Sequence, residues 1–317
     1  MIGARSILKP IILTLIAGLC WSLTFIFVVA SVQYAPATTT VFLTFVFAAL
    51  FMSIFFGKQA LKTARLIFPG TTEWLTIRSD AAVFAIATVS LTLTFFLQSI
   101  KRYSYAPSGS DSVFLLATTP LFVVLIVYFL KKEELSLGSL AGSVTALLGA
   151  VAIVGNWERP SSFSPFSMFR LEEFLLVLSA VSLAVFLIAI KKLTSKYSPP
   201  ALVTAILWAV AMLMLMLAMG IDTPRVMFSV NPDGFSFFIA FGIFGIAVPI
   251  AMMSELVSSY NVTRASSAVA LMPVLATFMI GIEKGFGISF LPTPFQWMPI
   301  FIGIVIVILG TVVMWSR

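Results

Sequence analysis

Long apolar runs, separated by short polar or charged clusters, recur along the whole chain, and none shows the strict two-residue alternation of a barrel strand. A run of about twenty apolar residues can cross a hydrocarbon core about 30 Å thick as a helix, which satisfies its own backbone in lipid. The pattern predicts spans over 11–32, 37–57, 81–102, 106–130, 136–155, 171–192, 200–220, 235–259, 264–285 and 296–316. The expected fold is an all-α polytopic membrane protein of ten transmembrane helices.

Two connections break the rhythm. Residues 57–80 alternate basic and apolar positions before Pro69 and Gly70, a pattern that predicts a short interfacial helix with Lys58, Lys62 and Arg65 at the headgroups. Residues 156–173, NWERPSSFSPFSMFRLEE, form a Pro-rich polar stretch halfway along the chain. The expected organisation is a first five-helix repeat over 1–156, an outer linker over 157–170, and a second five-helix repeat over 171–317.

The repeat rests on an echo. Residues 101–155 hold a tight small-residue reversal, an apolar helix with Pro120 at its centre, a charged turn and a glycine-marked return. Residues 255–310 repeat that order around Pro273. Aligning the two prolines brings Asp111 onto Arg264 and Arg102 onto Glu255, so the charges exchange between copies. Five helices per half is an odd number, so the second repeat enters the membrane inverted. Arg102 with Asp111 would then sit at the outer mouth and Glu255 with Arg264 at the inner one. Each pair is either a structural ion pair offsetting its burial cost or part of a gate. Pro120, Pro249 and Pro273 each remove a helical hydrogen bond inside a span and are candidate hinges.

Composition narrows the chemistry. With 60% hydrophobic and only 10% charged residues, the chain lacks the polar surface of a water-soluble globule. A net charge of +7 would point to nucleic acid in a soluble protein, but here the basic residues sit beside the bilayer, and no nucleic-acid partner is expected. Lys101, Arg102, Arg159, Arg170, Arg225 and Lys284 fall on one side, and the other 13 of the 19 Lys and Arg residues fall on the side of the N-terminus. The positive-inside rule then places both termini in the cytoplasm. The first span is expected to be retained, because its apolar run exceeds a signal-peptide core. Histidine is absent and Cys20 is the single cysteine, which removes His-dependent nucleophilic machinery and any internal disulfide. No metal or cofactor is expected, and neither is an enzymatic activity, since acids lie only near helix ends. The absence of a GxxxxGK[ST] loop argues against ATP hydrolysis.

Polar side chains inside the spans are the remaining candidates. Trp21, Ser22 and Thr24 lie near the middle of the first span, and Ser90, Thr94 and Gln98 stack on one face of the third at four-residue spacing. Thr118 and Thr119 adjoin Pro120. Two readings stay open for each group: polar glue between helices, or the lining of a cavity. The second span is Phe-rich and nearly featureless, and the seventh carries Trp208 with several methionines. Both are expected to face lipid.

At YSYAPSGSDSVFLLATTPLFVVLIVYFLKKEELSLGSLAGSVTALLGAVAIVG the chain resembles the drug/metabolite transporter superfamily, specifically its EamA-type ten-helix exporters. The small-residue hairpin, Pro120, the acidic turn at Glu133, the glycines Gly142 and Gly149, and Gly18 with Trp21 in the first span all carry the likeness. The resemblance implies a central cavity lined by spans 1, 3, 4, 6, 8 and 9, which adds Ser182, Met252 and Ser266 to the candidates above. It implies secondary, alternating-access export of small metabolites, amino acids or drugs across the cell membrane. Nucleotide-sugar transport or lipid-linked sugar flipping is the alternative within that fold. Proton coupling through Asp111 and Glu255 is a hypothesis. Gly281 and Gly285 could mediate contacts within the bundle or in a homodimer.

Overall fold

The computed structural model describes residues 4–31, 34–68, 79–104, 116–130, 136–154, 171–222, 230, 234–285 and 297–315. The Asp111 position and the 157–170 linker lie outside these residues, as does the side chain of Arg102. Among the described residues all regular structure is helical: α1 Ala4–Ser31, α2 Ala37–Ile67, α3 Ser79–Ser104, α4 Thr119–Phe129, α5 Leu137–Val154, α6 Leu171–Thr194, α7 Pro199–Ile221, α8 Gly234–Ser259, α9 Val262–Ala270, α10 Met272–Gly285 and α11 Trp297–Trp315. Six described helices are long and apolar enough to cross a membrane, and shorter apolar helices lie at 11–24, 119–129, 137–153 and 300–315.

Helix pairing exposes the internal symmetry. Matching Pro120 to Pro273 sets α4 on α10, and in chain order α1, α2, α3 and α5 correspond to α6, α7, α8 and α11. The observed partners are α2 with α7, α5 with α11, α3 with α6, α1 with α8, α4 with α6, and α1 with α9 and α10. Exchanging the halves turns the α3–α6 pair into α8–α1 and the α4–α6 pair into α10–α1, and returns α2–α7 and α5–α11 to themselves, as a pseudo-two-fold axis requires.

The two self-matched pairs show the sense of that axis. A Cβ at Gly142 would come within 2.7 Å of the Gly310 carbonyl, and one at Gly149 within 2.7 Å of the Gly303 carbonyl. The register runs backward, so α5 and α11 are antiparallel with backbones in contact, the close approach that small residues permit. Between α2 and α7, Trp208 Nε1 donates to Ser53 Oγ at 2.9 Å, while Asp222 at the end of α7 meets Thr39 at the start of α2. This pair is antiparallel too. Corresponding helices thus run in opposite directions, as in an inverted repeat.

Two expectations change. Helix α2 continues unbroken to Ile67, so the interfacial segment is the end of a 31-residue helix rather than a separate element. At about 1.5 Å per residue it outruns the hydrocarbon core, and its last turns leave Leu61, Leu66 and Phe68 exposed beside Lys62 and Arg65. Neither α2 nor α7 is wholly lipid-facing. Thr44, Phe45, Ala48 and Met52 of α2, and Val203, Leu207, Val210 and Met214 of α7, are buried, while Ile54, Phe55, Met212 and Met216 are exposed.

At one end of the bundle, Lys196 bridges to both Asp80 oxygens at 2.9 and 3.0 Å, and Tyr197 donates to the same carboxylate at 3.1 Å. The hydrogen bond to Asp80 holds the Lys196 ammonium above the ordinary lysine pKa. Lys191 extends to the carbonyls of Val257 and Tyr260 at 2.7 and 2.6 Å. A cation placed there satisfies the carbonyls that end α8 and complements its dipole.

Candidate functional site

Three helical runs are interrupted beside a proline. Each of the prolines singled out above is the second residue of an α-helical segment that follows a break. Thr118 precedes α4 with φ −76° and ψ −13°, and Leu271 precedes α10 with φ −77° and ψ −11°. The two breaks occupy matched positions of the two halves and share one backbone geometry. The third lies in α8, where Phe241–Ala247 forms a π-helical stretch before Val248 and Pro249.

Helix α1 approaches two of these breaks. It crosses near α9 and α10 at Gly18, where a Cβ would sit 2.9 Å from Leu275 Cδ1 and 3.1 Å from the Ala268 carbonyl. One turn later the Ser22 hydroxyl lies between the carbonyls of Gly18 at 2.7 Å and Met272 at 3.2 Å. Thr24 meets α8: Pro249 has no N–H to offer the Gly245 carbonyl four residues back, and Thr24 Oγ1 donates to it at 2.6 Å. A side chain from another helix thereby satisfies a backbone acceptor released by a π-stretch and a proline. Replacing Thr24 by valine should lower thermal stability by about 1–2 kcal/mol, whereas serine, which keeps the hydroxyl, should restore most of it. Unfolding midpoints of the two purified variants provide the check.

The polar stripe of α3 is turned toward α6. Gln98 Nε2 donates to Ser179 Oγ at 3.0 Å, Ser179 Oγ donates to the Thr94 carbonyl at 3.1 Å, and Thr94 Oγ1 donates to the Ser90 carbonyl at 2.9 Å. Ser90, Thr94, Gln98 and Ser179 are all buried. Ser179 was not singled out by its sequence, since nothing marks which polar residue of α6 would face α3.

The other candidates are buried or half-buried within the helices. Trp21, Thr118, Thr119 and Ser182 are buried, and Met252 is half-buried on α8. Ser266 is buried with its hydroxyl donated to the Thr263 carbonyl at 2.7 Å. Glu255 and Arg264, both half-buried, flank the turn at Tyr260 and Asn261. Asn261 caps α9 by accepting from the Arg264 N–H at 2.9 Å, and the Arg264 guanidinium lies 6.0 Å from the centroid of the Trp315 ring. The same indole donates to Ser267 Oγ at 2.8 Å and meets Tyr260 edge to face. Trp315 thus fastens the end of α11 to the start of α9, a role invisible to a local reading.

Phe27, Phe237 and Phe241 form an aromatic cluster between α1 and α8, with ring centroids 5.3 and 5.5 Å apart, and Tyr34 extends it. Hydroxyls, released carbonyls and aromatic rings thus meet between α1 and α8–α10.

Comparisons with known proteins agree with this architecture. The sequence pattern of the EamA-like transporter family matches residues 8–155 and 170–316. Comparison with curated protein sequences finds no match. A solved structure titled only as the crystal structure of a protein superposes with a TM-score of 0.69 over 96% of each chain, at 18% identity, a likeness of fold.

Proposed function

The chain belongs to the EamA-like transporter family, and from that premise we propose that it is a secondary carrier exporting small amphipathic solutes by alternating access between its two halves. The observation that supports this reading most is the matched pair of helix breaks at Thr118 and Leu271. Interrupted helices at equivalent places in inverted halves give a molecule two near-equivalent packings, one open to each side. The family consists of transporters, and the hydroxyl, carbonyl and aromatic surroundings of the breaks supply recognition without a catalytic group.

Reconstituted liposomes test the proposal. Protein-containing vesicles should accumulate or release a labelled solute chemically unchanged, while protein-free vesicles should not. Chemical conversion of every solute handled would point to an enzyme instead. An imposed pH gradient that drives uptake assigns proton coupling, whereas equal uptake with and without it assigns uniport.

In the same reading, Arg102 with Asp111 and Glu255 with Arg264 close the outer and inner mouths. Asp111→Asn and Glu255→Gln should then alter transport rate or sidedness by about tenfold, on the scale of one charge-assisted hydrogen bond. If both variants transport like the parent, these residues are structural.

A further inference from the structure

The two matched breaks differ in their polar groups. At the second, Pro273 cannot donate to the Val269 carbonyl, which the Leu271 N–H approaches instead, and the Ser22 hydroxyl reaches from α1 to the Met272 carbonyl at the start of α10.

The first break adds a buried hydroxyl. Pro120 has no N–H for the Leu116 carbonyl, and the Leu121 N–H turns to the Thr118 carbonyl at 3.0 Å, away from Ala117. Two consecutive carbonyls, those of Leu116 and Ala117, thus lose their helical donors. Thr119, fully buried, has a hydroxyl oxygen with no hydrogen-bond partner. Its counterpart in the second half is Met272, which has no hydroxyl. A buried polar atom left unpaired carries a desolvation cost that a ligand can remove.

We propose that this break, formed by the carbonyls of Leu116 and Ala117 with the hydroxyl of Thr119, is the subsite that takes the amino group of the transported solute. The chemistry follows from the donors this break lacks. Two carbonyls can only accept, the Thr119 hydroxyl can accept as well as donate, and a primary ammonium presents three N–H donors. Carbonyl dipoles can replace the hydration shell of a cation, as they do in channel filters. A carboxylate or phosphate, which offers only acceptors, finds a single O–H donor there and is repelled by the two carbonyl dipoles.

This inference rests on the carrier reading and names its substrate class. Binding to the detergent-purified full chain is measured with phenethylamine, with 2-phenylethanol as its neutral isostere and with 3-phenylpropionate as an anion. Phenethylamine should bind at least about tenfold more tightly than either analogue, the discrimination carried by one or more hydrogen bonds to a charged group. Thr119→Val should remove about tenfold of amine affinity, and Thr119→Ser should retain it. Pro120→Ala, which returns an N–H to the Leu116 carbonyl, should weaken the amine as well. Each variant is scored by its own amine-to-alcohol affinity ratio, so partial unfolding does not mimic the effect. Equal binding of all three probes, preference for the anion, no binding of the amine, or an unchanged ratio in Thr119→Val overturns the assignment. Vesicle transport of some solute by the parent, together with any of those results, would leave the carrier standing and remove only the subsite. No transport of any solute removes the carrier reading itself.

Discussion

Replacing Gly149 or Gly310 by valine should prevent α5 and α11 from pairing and should abolish stable folded protein. The reason is steric. A Cβ at Gly149 would lie 2.7 Å from both the Gly303 carbonyl and the Val307 nitrogen, and one at Gly310 would lie 2.5 Å from the Ala146 nitrogen. These obstacles are backbone atoms of a facing helix, so no rotamer change clears them, and the helices must separate. Alanine alone should cost about 1–3 kcal/mol, and valine more, a large share of the roughly 5–15 kcal/mol that holds a typical domain folded. Gly220 provides the opposite expectation. A Cβ there meets nothing within 4 Å, so alanine should be neutral or slightly stabilising through its better helix propensity. Unfolding midpoints in detergent should therefore fall steeply for Gly149→Ala and Gly310→Ala, while Gly220→Ala matches or exceeds the parent. Equal midpoints for all three would mean that α5 and α11 do not pack through these glycines.

Loss of the Asp222 carboxylate is the second large effect. Helix α2 starts after Pro36, which offers no side-chain cap, and its first turn instead receives Asp222 from the end of α7. The buried carboxylate accepts from the Thr38 hydroxyl, from the Thr39 hydroxyl at 2.7 Å and from the Thr39 N–H at 3.2 Å. It acts as a helix cap supplied by the other half of the molecule, with its negative charge on the favourable end of the α2 dipole. Asp222→Ala strands three buried donors at once and should cost about 2–4 kcal/mol. Asp222→Asn keeps an acceptor oxygen and should cost about half as much. Thermal unfolding of the two variants should rank them in that order, and an alanine variant as stable as the parent would contradict the capping role.

Asp222 also marks how far the sequence could be read. The spans were legible because apolar length is a local property, and the breaks at Thr118 and Leu271 were legible because proline lacks a donor wherever it stands. The glycines of α5 and α11 were legible as close-packing residues, but their mutual register was not. Which face of α2 or α7 is buried was illegible as well. In a membrane the lipid-facing side is as apolar as the core, so the hydrophobic pattern that orients a helix in water carries no such information. Asp222 meets Thr38 across a separation of 184 residues, and Thr24 meets Gly245 across 221. No local signal announces either contact. The π-stretch in α8 had only an indirect trace, in Gly242, Gly245 and Pro249 together.

The candidate site was legible in parts. Ser22, Thr24, Thr94 and Gln98 were recognisable as polar groups that needed partners, and the structure supplies those partners in Met272, Gly245 and Ser179. The difference between the two breaks was not legible. It depends on a hydroxyl from α1 reaching one of them and on the hydroxyl of Thr119 finding no partner at the other.

Counterflow tests the central claim, a carrier of two inverted halves, most directly. Liposomes containing the protein are loaded with unlabelled solute, chosen as the compound that most stabilises the purified chain, and diluted into a trace of the labelled form. A carrier that alternates a single site between two sides should draw label inward to a transient overshoot above its equilibrium level. Label that instead rises monotonically to equilibrium, at a rate independent of the internal load, would contradict alternating access.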